Sequence, residues 1–338
     1  MTDTPFYLPP EWAPHAAIWV GWPHLRGEWG AAFDGARDEI GHFVRAIAEV
    51  TPVRIACGSR EAYGSAWFAF EPLIKSDRVT LHPLPAGDIW LRDTGPLIGV
   101  EANTLRANMF RFNGWGGKFL MSGDTMTAGG VASAEGLPRR GHDFVLEGGG
   151  IDLDGAGHLL TTKQCLLNPN RNPGWSEEIA EQVLKAAFNV DQILWLDEGL
   201  RNDHTDGHVD NIARFIGPGR VLCQRASGTD DPNAGTLLAI EQSLRASGLK
   251  VETIPSPGRI EDEEGAPVPA SHMNFVISNR HIFMPTYEAH YAPQAKAALQ
   301  DLMPGYEIID LPARSILAGG GAFHCMTQQV PALKEQIV

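Results

Sequence analysis

Residues 144–196 read FVLEGGGIDL, DGAG, HLLTTKQCLL, NPNRNPG, WSEEIAEQVLKAAF, NVD and QILWL. Two apolar-rich runs flank the turn DGAG, which predicts a pair of strands joined tightly. The stretch WSEEIAEQVLKAAF carries its apolar residues at helical spacing, and QILWL is a short closing strand. The order is therefore strand, strand, helix, strand.

The same order recurs further along the chain. In residues 208–254, HVDNIARFI and RVLCQ flank GPG, NAGTLLAIEQSLRAS is helical, and LKVETI closes the unit. In residues 272–311, HMNFVIS and HIFMP flank Asn279 and Arg280, APQAKAALQDLM is helical, and YEIIDL closes. A period of roughly 60 residues leaves room for about five such units. An earlier one begins near Asp93, with GPLIGVE and TLRANMF as its strand pair and a weakly patterned helix in the Gly/Ser/Thr-rich stretch 121–137. The fifth is split across the two ends: HCMTQQVP supplies one strand, AAIWVGWP its neighbour, DGARDEIGHFVRAIAEV the helix and PVRIAC the closing strand. Pairing these ends closes a ring of repeats and covers exposed sheet edges. The plainer alternative is an open α/β sheet with unrelated hairpins, which alternating elements alone do not exclude.

In such a ring, equivalent positions face one axis, so the polar residues at the entry to each unit become informative. Asp93 lies in DIWLRDTGP with Trp90 just before it, Glu147 in LEGGG, His208 and Asp210 in HTDGHVDN, and Cys325 in AGGGAFHCMTQQ. All five stand at or just before the first strand of their unit and are expected to meet at one mouth of the ring. The glycine runs EGGG and AGGGAF read first as tight turns and second as places where backbone approaches a ligand closely. In HTDGHVD, His204 and His208 have a spacing that suits metal ligation on a helix. Gly207 and the extended run after it favour a strand instead, which puts His208 and Asp210 on one face. Cys57, Cys165 and Cys223 sit in apolar strand patterns and read as small core residues. The run EDEEG, 261–265, reads as a solvated loop.

Composition narrows the function classes. The formal charge of −14 over 338 residues, without a Lys/Arg cluster, disfavours nucleic acid as a partner. The opening MTDTPFYLPPEW has neither the basic nor the apolar segment of a secretory signal, and no apolar stretch is long enough to span a bilayer. The four cysteines lie far apart with no CxxC pair, which argues against a zinc ribbon or a disulfide framework. A cytosolic protein is expected.

Six stretches, PPEWAPHAAIWVGWP, IWLRDTGP, FNGWGGK, LEGGGID, TDGHVDN and GGGAFHCMTQQVP, span nearly the whole chain in order. As a set they resemble the agmatine deiminase and Porphyromonas-type peptidylarginine deiminase family of guanidine-modifying enzymes. The resemblance implies one catalytic domain over 1–338, folded as a five-bladed α/β propeller of ββαβ units with pseudo-fivefold symmetry. It further implies that Cys325 is the nucleophile and His208 the general acid/base, that Asp93 and Asp210 grip a guanidinium with Glu147 beside them, and that Trp90 lines the channel.

The expected reaction turns agmatine into N-carbamoylputrescine and ammonia through a covalent thiouronium on Cys325, as in putrescine formation. Neither metal nor organic cofactor is implied. Deimination of free or peptidyl arginine is the alternative with the same chemistry, and a metal-dependent hydrolase built on HTDGHVD is the rival from another class. The partner is a small cationic guanidinium; dimers are common in the family. Two departures from the family pattern stand out: Ala322 and Phe323 replace residues usually including Asn, and FLMSGDTMTAGG follows WGGK where Tyr, Pro and Asp are usual.

Overall fold

The protein is described by a computed structural model covering residues 6–287 and 290–333. Its strands form five separate sheets among these residues. Four have three strands each: Leu97–Glu101, Thr104–Arg111 and Arg139–Val145; Ile151–Leu153, His158–Thr162 and Gln192–Leu196; Ala213–Gly217, Arg220–Arg225 and Lys250–Pro255; Val276–Ser278, His281–Thr286 and Glu307–Pro312. In every one, the first pair is antiparallel and the second parallel. A parallel step needs a long crossover, and a helix supplies it each time. These helices are Asp124–Ala134, Glu177–Phe188, Ala234–Ala246 and Ala292–Leu302.

The fifth sheet joins the two ends of the chain, as the split repeat predicts. Thr327–Pro331 runs antiparallel to His15–Gly21, with Ile18 opposite Gln329 and Val20 opposite Thr327. His15–Gly21 then pairs in parallel with Val53–Cys57 across the helix Phe33–Ala48. A fourth strand, Val79–Pro83, continues this sheet after a second helix, Arg60–Lys75, which the periodicity analysis leaves unread. Pro72 inside that helix and the non-helical φ of −124° at Phe70 interrupt its regular pattern.

Local chemistry explains the elements. Phe33–Ala48 buries Phe33, Ala36, Ile40, Phe43, Val44 and Ile47, a stripe at three- and four-residue steps that packs against the sheet. Each of the larger side chains contributes ~1.5–3 kcal/mol on burial. Ser59 and Ser176 cap the next helices by accepting from Ala62 N (3.0 Å) and Ile179 N (3.4 Å).

Several first strands are shorter than the sequence predicts. Phe144 and Val145 close the preceding sheet, Gly148–Gly150 forms a 3₁₀ turn, and only Ile151–Leu153 is extended. Lys163–Leu166, read as strand, is a helical turn started by the Thr162 side chain, which accepts from Cys165 N at 3.2 Å. Val209–Asn211 is likewise a 3₁₀ turn, so the strand placement of His208 and Asp210 is corrected. Leu91–Thr94 is a helical turn as well, and Trp90 caps that turn instead of sharing a strand with Asp93. Each entry to a unit is a tight turn, and the turns around Asp93, Glu147 and Asp210 pack on one another.

Candidate active site

The turns carry the site. Asp93, Glu147, His208, Asp210 and Cys325 are each at most 5% exposed, and Trp90 is 7% exposed. A β-carbon added to Gly149 would lie 2.6 Å from His208 Nδ1 and 3.0 Å from both Asp93 Oδ1 and Asp210 Oδ2. These three side chains therefore gather over the bare face of one glycine. None of Gly148, Gly149 or Gly150 has positive φ among the described residues, so close approach, and not turn geometry, is what requires glycine at Gly149. Likewise a β-carbon on Gly321 would meet Trp90 at 2.7 Å and Cys325 Sγ at 3.1 Å. Both readings of these runs therefore hold: Gly148–Gly150 and left-handed Gly320 make turns, and Gly149 and Gly321 allow the close approach.

Asp93 is held from two sides. Gly149 N donates to its Oδ1 at 2.9 Å and Trp115 Nε1 to its Oδ2 at 2.8 Å. Trp115 sits at φ 52°, between left-handed Gly114 and Gly116, a conformation that costs an aromatic residue ~1–3 kcal/mol. The loop FNGWGGK accepts this strain to aim the indole at Asp93.

His208 Nδ1 faces Asp93 Oδ1 at 3.8 Å, and its Nε2 faces Glu147 Oε2 at 4.0 Å. Neither ring nitrogen has a hydrogen-bond partner, nor does Glu147 Oε2 or Asp210 Oδ1. Buried polar atoms are normally satisfied, so this group of open donors and acceptors marks a place for a polar guest. Glu147 Oε1 accepts from Arg171 Nε at 2.7 Å, and Arg171 also reaches Asp206 Oδ2 at 2.7 Å and Thr205 O at 2.9 Å.

Cys325 Sγ lies 3.6 Å from Asp210 Oδ2 and accepts from Asn274 Nδ2 at 3.1 Å. Asn274 Oδ1 in turn accepts from the backbone N–H of His324 (3.0 Å) and Cys325 (3.3 Å). Asn274 was not picked out by sequence, yet it stands before the first strand of the unit 272–311. The repeat rule applied to HMNFVIS would have found it.

Charge follows from burial and neighbours. Burial, with the carboxylates of Asp210 and Asp93, pushes the Cys325 thiol well above its ordinary range. Burial also opposes protonation of His208, but Asp93, Cys165 and Glu147 overcome it and hold the imidazole well above its usual value. Burial raises Asp93, whereas in Asp210 the bond and charge of His324 outweigh burial and lower it. These shifts favour a neutral thiol and a protonated imidazole.

Cys165 is a fully buried core residue, as its pattern suggests, and its sulfur also faces the site. Glu147, Cys165 and His208 bring donor atoms within 4.8 Å of one another, the one trio among the described residues able to surround a cation. Arg171 already supplies positive charge to Glu147 there. The donors of HTDGHVD diverge: Asp206 pairs with Lys118 (2.6 Å) and Arg171, and the His204 ring lies 5.6 Å from Phe119.

The site opens into a cavity of about 170 Å³ walled by Trp29, Trp90, Trp115, Phe119 and Met121, with Glu28 and Asp88 as further acids. Phe119 and Met121 belong to the divergent stretch after WGGK, which does shape the channel. Trp29 and Trp90 stack with centroids 5.9 Å apart, and Trp29 Nε1 donates to Asp88 Oδ1 at 3.0 Å. No Lys or Arg lines this cavity among the described residues. Phe323, the other departure, stacks on Phe43 at 4.8 Å, so apolar packing supports the turn where the family usually places Asn nearby.

The chain resembles known proteins along its whole length. It is 36% identical to an agmatine deiminase of Ectopseudomonas mendocina and 37% identical to one of Stutzerimonas stutzeri, with 98% of each chain covered in both comparisons. Among solved structures, the agmatine deiminase of Enterococcus faecalis superposes with a TM-score of 0.89 at 29% identity, covering 96% of both chains. An amidinotransferase of Microseira wollei shares the fold at 12% identity and a TM-score of 0.56. The family description "Porphyromonas-type peptidyl-arginine deiminase" matches residues 7–331, and the chain belongs to that family.

Proposed function

We propose that this protein hydrolyses agmatine to N-carbamoylputrescine and ammonia, within a single domain whose five sheets stand as the blades of an α/β propeller around the site. One observation carries the reading: a buried thiol, an imidazole and three carboxyl groups line a gap that opens into an aromatic, acidic cavity with no Lys or Arg on its walls among the described residues. Both ends of agmatine are cationic, and such a cavity suits both. Free arginine would bring an α-carboxylate that finds no Lys or Arg along these walls among the described residues.

The chemistry proceeds from that geometry. A guanidinium spreads its charge over three nitrogens and is a weak electrophile. Asp93 and the open Oδ1 of Asp210 grip it through charge-assisted hydrogen bonds and fix its carbon near Cys325 Sγ. The incoming cation offsets the carboxylates that hold the thiol neutral, which favours thiolate formation with the thiol proton lost to solvent. Sulfur attacks the carbon, a C–S bond forms, and a tetrahedral adduct results. His208 gives its proton to the leaving nitrogen, the C–N bond breaks and ammonia departs. Water, deprotonated by the now neutral His208, attacks the thiouronium carbon; the C–S bond breaks, the sulfur takes up the hydroxyl proton, and the ureido product leaves. Asp88, on the cavity wall beside Trp29, takes the terminal ammonium.

Ammonia release from agmatine, free arginine and an arginyl peptide tests the reading. The expected result is a kcat/KM at least about 100-fold higher for agmatine, equivalent to ~2.7 kcal/mol. Equal rates with arginine would remove the argument from the cavity walls.

A further inference from the structure

The motif PPEW is left unused by this chemistry, although its acid penetrates to the site. Glu11 is 6% exposed. Its Oε1 accepts from Ile277 N at 2.7 Å; its Oε2 accepts from His324 Nε2 at 2.8 Å and from Arg214 at 2.5 Å, with Arg92 at 4.0 Å. On the other side of the same ring, His324 Nδ1 lies 2.7 Å from Asp210 Oδ2. Carboxylate oxygens only accept, so both ring nitrogens of His324 donate, and the ring bridges two acids.

Asp210 Oδ2 is thereby occupied by His324 and faces the Cys325 thiol, while Oδ1 is buried and open. We propose that Glu11, acting through His324, is a positioning residue for the reaction: it fixes His324 as a double donor, which locks Asp210 with one oxygen on the thiol and the other turned to the substrate. A neutral imidazole would be free to accept at Nδ1, and Asp210 would lose its restraint. The donating ring of His324 also sits one carboxylate away from the sulfur. Burial works against ionised Glu11, and Arg214, His324 and Arg92 overcome it.

The groups facing this string are few. Asp93 and Asp210 face the thiol, Asn274 donates to it, and the Tyr287 hydroxyl on the same side is committed to Ser271 O at 2.9 Å. Arg92 and Arg214 flank Glu11, and Asp152 lies 3.5 Å from Arg214. Glu11→Gln keeps the shape and one accepting oxygen but removes the charge, so it separates anchoring of the N-terminal segment from control of His324.

The inference rests on Cys325 being the nucleophile proposed above, and the experiment has two independent readouts. Turnover of agmatine by Glu11→Gln is expected to fall by ~10- to 100-fold, the loss typical of one charge-assisted bond in a buried site. The pH midpoint for alkylation of Cys325 by iodoacetamide, followed on its own peptide by mass spectrometry, is expected to rise by ~1 unit. His324→Gln should give the same pair of changes, and the double variant no greater loss than either single one. A reduced turnover with an unmoved alkylation midpoint means Glu11 only anchors the chain, and overturns the proposal, as does wild-type behaviour. Should Glu11→Gln fail to fold, His324→Gln decides alone by the same two measurements. If the wild-type protein turns over no guanidine, the functional reading fails, and the alkylation midpoints still judge the Glu11 connection.

Discussion

Replacing Gly149 by alanine tests the site at its centre. The new methyl would lie 2.6 Å from His208 Nδ1, where ordinary contact begins near 3.4 Å, so the ring must retreat by about 0.8 Å. Asp93 Oδ1 and Asp210 Oδ2, each 3.0 Å from the added carbon, must give by about 0.4 Å. Displacement of this size in a catalytic array lowers the rate by ~100-fold. Overpacking a core position costs ~1–3 kcal/mol, which a domain with ~5–15 kcal/mol of stability survives. The neighbouring Gly150→Ala is the control, because its added carbon would stand 3.5 Å from Cys165 Sγ and 3.8 Å from His208, ordinary distances. Steady-state ammonia release and thermal unfolding by circular dichroism measure both effects. We expect Gly149→Ala to keep its fold and lose ~99% of kcat/KM, and Gly150→Ala to keep both. A folded Gly149→Ala with activity within twofold of wild type refutes the placement of the reaction between His208, Asp93 and Asp210.

Other outcomes follow from the same geometry. Cys325→Ser should reduce turnover by ~10⁴-fold or more, and acid-quenched wild-type protein should carry a substrate-derived adduct on the Cys325 peptide that the variant lacks. Burial raises the Asp88 carboxyl to about 6. It is therefore charged above that pH and neutral below it, and KM for agmatine should rise as pH falls through 6. Asp88→Asn should raise that KM by ~10-fold at neutral pH, abolish the acidic limb, and leave n-butylguanidine, which has no terminal amine, unaffected. His15 and His272 are buried and held down to about 4, so both are neutral in the native state at neutral pH. Unfolding releases them to protonate near 6.5. Stability should therefore fall as pH drops from about 6.5 towards 4, by up to ~3 kcal/mol for each ring. A melting temperature unchanged over that window in His15→Asn/His272→Asn protein, beside a falling wild type, would identify these two as the cause.

The sheet order was legible because strand pairs and helix stripes repeat, and repetition reinforces weak local signals. QILWL, LKVETI and YEIIDL all became third strands. The entries to the units were misread because runs such as VLEGGGIDL and HVDNIARFI are apolar and extended in pattern, while their hydrogen bonds close 3₁₀ turns. Periodicity cannot see that difference over three residues. The convergence of Cys325, His208, Glu147, Asp93 and Asp210 was legible from their place before the first strands and from the family resemblance. Glu11, Arg171 and His324 were missed because their importance lies in partners hundreds of residues away, or on loops without pattern. Trp115 could have been suspected, since a tryptophan between glycines in FNGWGGK is an unusual place for a bulky ring.

The seam between the strands His15–Gly21 and Thr327–Pro331 has a consequence for how the protein comes into being. Synthesis makes one partner first and must wait for the other, and Glu11 meets His324 across a separation of 313 residues. During all that time Cys325, the proposed nucleophile, has not been made, and the pocket that it lines lacks a wall. With Cys325 as the nucleophile, a ribosome-bound fragment that lacks this last strand lacks the chemistry too, however well its earlier sheets have formed.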